Sequence, residues 1–378
     1  MGKQVKTPRF YVDIPTFLHA TGQLGWDDSK GGAELLYMNC ANPYLQETTS
    51  TTMFVIGNNS NNIPKTSFPI NFCALLNHNL SSVIPSSLQN NNEFRIVAKG
   101  GLNAESNITL TDSVNYVDNI LNSDISNPNL NPQYNGTSIW TTLEQNEYWR
   151  SFELFFPNGF DDYTHQLGSF VIGKYFDCPN SPDLNVTMSR RFDGIKKQKT
   201  IGGKQLANIY YDGPTEWIMN RKNADFGGDS TYKYPPFELD TTATVDTTGF
   251  RFDYRSRSGL GRKGLRSWNL TFSYIAESDM WIDSEVSNLV INDDINDAPF
   301  GGGSPTGGNG GNPMLSDNSF NFVYNCTLGG ALPFIFTDDK DSNAPDRYSI
   351  CTFRENTFKV TQIAFNTYNV SMTIDEIA

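Results

Sequence analysis

The residues best equipped for chemistry in this chain are few and scattered. Three histidines are present, His19, His78 and His165. None of them sits in the G-x-S-x-G turn of a hydrolase nucleophile or in the H-E-x-x-H helix of a zinc protease. His78 lies between Asn77 and Asn79 at the end of an apolar run, FPINFCALLNHNLSS. Three polar side chains in that place can hold a metal, act as acid and base, bind a sugar, or fix a strand exit through hydrogen bonds to backbone. A Ser-His-Asp arrangement assembles across a fold and leaves no local signature; with three histidines it has few candidates.

Acidic residues gather at NDDIND, from Asn292 to Asp297, and at TDDKDSNAPD, from Thr337 to Asp346. Oxygen ligands so spaced can bind calcium, but neither run has the mid-loop glycine and closing glutamate of an EF-hand. The expectation for both is a solvated loop. Nothing local fixes a pair of carboxylates across a cleft, as glycoside hydrolysis requires. The five cysteines are odd in number, scattered and without C-x-x-C spacing, so neither a disulfide framework nor a zinc site is expected. Cys73 and Cys351 stand in apolar contexts and are expected to be small core side chains. The run NDAPFGGGSPTGGNGGNP lacks the G-K-[S/T] ending of a phosphate-binding loop and is expected to be a linker or an arm ordered by a partner. These observations make an enzyme, a cofactor and a metal all unexpected.

The elements that would position such residues are strands. Aromatics form 13% of the 378 residues and charged residues only 18%, while the good helix formers are thin. Few segments hold an apolar period of 3.6 for three turns. Strand-like runs bounded by Asn, Asp, Gly, Ser or Pro recur instead: Thr52 to Ile56, Phe94 to Ala98, Phe152 to Phe156, Phe170 to Tyr175, Leu270 to Ile275, Phe334 to Phe336 and Tyr368 to Ile374. The clearest alternations are FELFF and YNVSMTI, each with one face to bury. An all-β fold of sandwiches or barrels is therefore expected, with Asn-rich loops between Gly57 and Trp149.

Two compact units are expected, residues 38–178 and 179–378, with residues 1–37 adding an arm or strand to the second and a Gly-rich loop at 297–313. No stretch of 18 apolar residues occurs, and the first residues lack the apolar core of a secretory leader, so the expectation is a chain made in a cytoplasm without membrane insertion. The sequons at Asn107, Asn135, Asn185 and Asn269 are then chance matches in an Asn-rich chain. A net charge of −13 argues against a specific nucleic-acid partner. Against it stand two basic runs, RRFDGIKKQKTIGGK from Arg190 and RFDYRSRSGLGRKGLR from Arg251. They are solvated loops, or contacts in which Arg190, Arg191, Lys196, Lys197, Arg255, Arg257 and Arg262 meet acidic patches on a neighbouring subunit.

The order of several short motifs resembles a known class of proteins. NFCALLNHNLSS, then SFELFFPN and LGSFVIGKYFDCP, resemble the galactose-binding-like jelly roll found in tail proteins of tailed bacteriophages. The later segments GLRSWNLTFSYIAESDMW, LPFIFTDDKDS and YNVSMTIDEIA look like a virion structural protein of the distal-tail type. In that pattern an Arg-x-Trp strand, a Pro-Phe-apolar-Phe strand and a last strand ending in an acid build a ring-forming β-sandwich or barrel. Here Arg266, Trp268, Pro333, Phe334, Phe336 and Glu376 occupy those positions. The resemblance implies a jelly roll at residues 38–178 followed by a ring-forming assembly domain at 179–378. The jelly roll precedes the ring half, unlike in a plain distal-tail protein, which leaves the hub and a neighbouring minor tail protein both open.

The implied function is structural. The chain would be a component of the virion tail, forming a ring, expected to be a hexamer, that links the tail tube to receptor-binding parts. Its partners would be copies of itself and other tail proteins. The alternative is a tail adhesin that binds host surface glycan. In that case Asn77, His78, Asn79 and Trp140 are the candidate contacts, because jelly-roll loops bind sugars with amides and an aromatic stacking face.

Overall fold

The computed structural model describes residues 5–22, 38, 44–47, 52–56, 68–78, 95–99, 108–109, 116–121, 135–142, 148–149, 151–155, 164–191, 195–209, 218–220, 264–282, 313–316, 318–342 and 347–377. Twelve strands form one sheet. In chain order they are β1 (Arg9–Asp13), β2 (Phe72–His78), β3 (Tyr116–Leu121), β4 (Asn135–Thr142), β5 (Ser169–Asp177), β6 (Thr187–Arg191), β7 (Ile218–Asn220), β8 (Leu265–Ala276), β9 (Phe334–Thr337), β10 (Tyr348–Phe353), β11 (Lys359–Ala364) and β12 (Thr367–Glu376). The order across the sheet is β6-β8-β12-β10-β9-β1-β5-β2-β4-β7, with β11 added to β12 and β3 to β4. Every pairing is antiparallel. The fold is all-β, and each of the seven runs expected to be strands coincides with one. Three of them, at Thr52–Ile56, Arg95–Lys99 and Ser151–Phe155, belong to a separate four-stranded sheet.

Burial explains why the central and flanking strands read differently in sequence. In β1, Phe10 and Val12 point into one core cluster and Tyr11 into the other; β2, β5 and β9 divide in the same way, for example Cys73 and Leu75 against Ala74 and Leu76. A strand covered on both faces must be apolar at successive positions, hence FYV, FCALL and FVI. The outer strands β8 and β12 bury one face only. Val370, Met372 and Ile374 are buried while their neighbours are partly open, so alternation survives in YNVSMTI.

β1 joins the two groups of strands. Its residues Arg9 to Asp13 pair with Asp177 to Gly173 of β5, and Arg9 to Tyr11 pair with Thr337 to Ile335 of β9. The N-terminal segment thus adds its strand to both expected units, and the hydrogen-bonded sheet continues across the boundary expected at Cys178. The Phe10 ring lies 5.5 Å from Phe334, 5.3 Å from Phe336, 6.1 Å from Phe353 and 6.4 Å from Phe176. Close approach of β1 to β5 requires the absence of a side chain at Gly173, where a Cβ would stand 2.1 Å from the Val12 carbonyl oxygen.

Four short helices accompany the sheet: α1 (Ile14–Ala20), α2 (Glu277–Met280), α3 (Pro313–Ser316) and α4 (Phe320–Cys326). They are tied to the fold by caps and burial rather than by propensity. Asp13 caps α1, accepting from the Thr16 amide at 3.4 Å and from the Thr16 hydroxyl, with a proline in the first turn. Ser319 caps α4 through the Phe322 amide at 3.1 Å. Ile14, Phe17 and Leu18 of α1 and Phe320, Phe322 and Val323 of α4 complete the larger cluster.

The start of the acidic run after β9 departs from the solvated loop that its composition suggests, although Asp341 is exposed and residues 343–346 lie outside the described residues. Asp338 and Asp339 are buried. Arg347 reaches Asp338 at 2.9 Å and Asp339 at 3.5 Å, and Lys6 reaches Asp339 at 3.1 Å. Paired cations arriving from distant sequence are what allow these carboxylates to leave water.

Two predictions follow from β1 and its cap. Phe10→Ala removes the ring that four others pack against, and is expected to cost about 3–5 kcal/mol, read as a fall in urea midpoint at unchanged slope. Burial pushes the Asp13 carboxyl up from 3.8 to about 7, outweighing its hydrogen bonds from Thr16 and Ile172. The folded state therefore binds this proton more tightly than the unfolded chain. Its contribution is complete below the unfolded value near 4 and is lost as pH rises through about 7. Wild type should lose roughly 4 kcal/mol over that interval relative to Asp13→Asn. Parallel stability-versus-pH curves for the two proteins would contradict this assignment.

Candidate functional site

Charged residues converge where β8, β10 and β12 meet. Arg266 opens β8 with its side chain toward the core, because Trp268, Leu270 and Phe272 follow it on the same face. Glu376 ends β12 on the same side, alternating with Ile374 and Met372. The Arg266 amide donates to Glu376 Oε2 at 2.8 Å and its Nε to the same oxygen at 3.3 Å. One guanidinium nitrogen also donates to the Tyr348 carbonyl at 2.9 Å and to the Ser349 hydroxyl, both on β10. The guanidinium carbon stands 4.7 Å from the centre of the Trp268 ring, and Trp268 meets Phe336 of β9 edge-on at 5.1 Å. Arg266 and Glu376 are both buried, so each supplies the counter-charge the other needs away from water.

On the outer side of this pair lies a cleft of about 110 Å³, lined by Ser189, Arg191, Leu265, Arg266, Ser267, Arg354, Asp375 and Glu376. Arg354 grips Asp375 with both arms, at 2.8 and 2.6 Å, and reaches Ser267 at 3.1 Å. Partial burial alone would raise the Asp375 carboxyl. Hydrogen bonds from Arg354 and Ser267, with the charges of Arg354 and Arg191, overcome it and hold the carboxyl below its usual range. Three guanidiniums stand against two carboxylates in the lining, an excess of one formal positive charge. Among the described residues, no group of three or more His, Cys, Asp or Glu is placed to hold a metal, and no helix is long and apolar enough to cross a membrane.

The residues expected to form sites are dispersed. Asn77 and His78 end β2, where His78 is level with Gly136 of β4; their side chains, and Asn79 altogether, lie outside the described residues. Trp140 requires a correction. It is 0% exposed within the larger core cluster, and a ring enclosed on β4 among Cys73 and Leu75 offers no face for a sugar to stack on. Arg190 and Arg191 are exposed on β6, and Lys197 is exposed on a hairpin formed by Ile195–Lys199 and Gln205–Ile209. The Lys196 side chain, and Arg255, Arg257 and Arg262, lie outside the described residues, as does most of the Gly-rich loop. Of the residues carrying the distal-tail likeness, Arg266, Trp268, Phe336 and Glu376 do come together. Sequence reasoning missed Arg354 and Asp375, whose only signal is a strand pairing that no local pattern records.

The chain matches no known family, no characterised protein and no solved structure in comparisons of sequence and fold. Its function must accordingly be argued from its own residues.

Removing one member of the buried pair should be far more damaging than removing an exposed one. Glu376→Ala is expected to cost about 3–5 kcal/mol by stranding the Arg266 charge, and Arg266→Met combined with Glu376→Leu to recover most of that loss. Arg354→Ala, at a solvent-facing pair, should cost less than about 1 kcal/mol. Urea denaturation of the four proteins tests the ranking, and a Glu376→Ala chain as stable as Arg354→Ala would refute it.

Proposed function

We propose that this chain is a non-enzymatic structural component of a bacteriophage tail, a ring-forming distal hub or adaptor that joins the tail tube to receptor-binding parts. In this reading the strands between residues 38 and 178 belong to a galactose-binding-like jelly roll, and residues 1–37 join the assembly domain. The strands after residue 178 build the assembly domain, six copies of which close around the tail axis. The chain would be assembled in the host cytoplasm and reside in the virion.

The observation that carries the reading is the convergence around Arg266. The resemblance picks out an Arg-x-Trp strand, a Pro-Phe-apolar-Phe strand and a terminal acid on sequence order alone. Those positions fall on β8, β9 and β12, and their side chains form one connected centre: Glu376 to Arg266, Arg266 over Trp268, Trp268 against Phe336. Contact among these members supports the reading. Broad antiparallel sheet edges and locally concentrated charge are also what a repeating subunit needs in order to meet its neighbours.

Electron cryo-microscopy of virions from a phage encoding this chain tests the proposal. The expected result is density for the chain in a closed ring about the tail axis, next to the tube. Peripheral or isolated copies without an axial ring would sink it.

A further inference from the structure

The sheet ends at β6 in a way that an isolated chain leaves unexplained. β6 pairs with β8 alone among the described strands, and all five of its residues are exposed. Register places Met188 beside Trp268 and Arg190 beside Arg266, on the face that buries the core elsewhere in β8. Among the described residues the core therefore stops before β6, whose outer edge pairs with no described strand.

Three exposed apolar side chains, Leu184, Met188 and Ile201, lie on β6 or on the segments flanking it in sequence. Of the other four large ones exposed among the described residues, three lie at the far end of β8, β11 and β12. Leu184, 97% exposed, directly follows Asp183, whose amide bonds the Thr271 carbonyl of β8. Tyr274 bulges from β8 with a left-handed φ of 61°, a costly conformation for a bulky residue. Ile363 bulges from β11 at the same level of β12, and Phe365 stands 88% exposed in the turn after it. Ile201 crowns the hairpin that starts three residues beyond β6, fully exposed with Lys197, Lys199 and Lys204 beside it in sequence.

Charge identifies the occupant. Residues 190–204 carry six cations against one Asp, a net of +5, which leaves −18 on the rest of a chain whose total is −13. The nearest abundant surface of opposite charge is another copy of the same chain. Two copies joined through this run about a two-fold axis would set its net charge of +5 against the same charge, which like-charge repulsion disfavours. We infer that β6, with the segment before it and the hairpin after it, is a docking edge that binds an acidic face elsewhere on a second copy of this chain, head to tail. The inference rests on the ring reading and deepens it, since a contact between unlike surfaces is the kind that generates rings.

The test uses the purified full chain and a variant carrying Leu184→Asp, Arg190→Glu and Lys197→Glu, three exposed positions whose replacement leaves the core intact. Analytical ultracentrifugation over a concentration series should show wild type self-associating, more weakly as salt is raised, and the variant associating at least tenfold more weakly. Fluorescently labelled variant, mixed with wild type at high salt and returned to low salt, should still be captured, because its acidic face remains to accept a wild-type edge. Failure of capture would mean that the variant's remaining surface does not accept a wild-type edge, and would overturn the head-to-tail assignment. Unchanged association of the variant would overturn the edge while leaving a ring built on other surfaces. A wild type that stays monomeric throughout would overturn self-docking. A ring in virions whose contacts avoid β6 would reject this inference and retain the proposed function.

Discussion

Strand β1 meets a demand that no nearby residue can meet, because its two partners end at Asp177 on one side and Thr337 on the other. Until it docks, β5 and β9 each lack a neighbour in the middle of the sheet, and buried backbone groups without partners are expensive. Side chains reinforce the β1–β5 ladder at its Arg9 end. Arg9 donates to both carboxylate oxygens of Asp177, at 2.5 and 3.0 Å, and lies 4.0 Å from the Tyr175 ring centre. Loop-closure entropy rises only slowly with length, so the arrangement is thermodynamically feasible. It is slow by topology, however, since the central contacts are the least local ones and must wait for the late strands. Complete order in the sheet thus depends on both ends of the described chain being present together.

The same geometry explains the treatment of charge. Near the sheet centre a polar group has no water to turn to. Arg266 is matched by Glu376 and by acceptors on β10, Asp338 and Asp339 by Arg347 and Lys6, and Asp13 by the first turn of α1. The Arg266–Glu376 and Lys6–Asp339 pairs join widely separated segments, so they act less as sources of net stability than as constraints on register. A slip of β12 by one residue would carry Glu376 to the opposite face and leave Arg266 buried without it. Outward from this centre the demand relaxes, and the Arg354–Asp375 fork sits partly in solvent, where screening weakens it.

Much of the architecture was legible because the sheet writes its burial into the sequence. YNVSMTI alternates because β12 has one wet face, and Trp268 belongs to the core because it stands in phase with Leu270 and Phe272 on β8. Less was legible where partners come from far away. Trp140 was a candidate as an aromatic stacking face in a jelly-roll loop, yet it and the polar residues Ser138 and Thr141 near it are buried on a strand covered from both sides. The run TDDKDS looked wet because its cations lie at Lys6 and Arg347. The helices α1 and α4 carry no apolar period long enough to register, although Asp13 before a proline-bearing turn and Ser319 before Phe320 are recognisable caps. The continuity of the sheet past Cys178 was hidden for the same reason as its key strand: β1 is five residues long and its pattern names neither partner.

The contrast between the centre and β6 bears on how such a chain can associate. A surface with excess negative charge repels other copies at separations up to about the screening length, about 8 Å at physiological ionic strength. Contact then requires a local reversal of sign, and the reversal must be confined, or the chain would bind acidic surfaces without discrimination. Residues 190–204 supply such a confined reversal next to exposed apolar side chains. The charges can orient an approaching surface while the apolar groups, once covered, contribute the area-dependent attraction that exposed ion pairs do not. A five-residue strand that buries nothing within its own chain also limits promiscuous pairing, since short, charged edges are poor templates for unselected strands. Selectivity at this edge would come from what it repels as much as from what it binds.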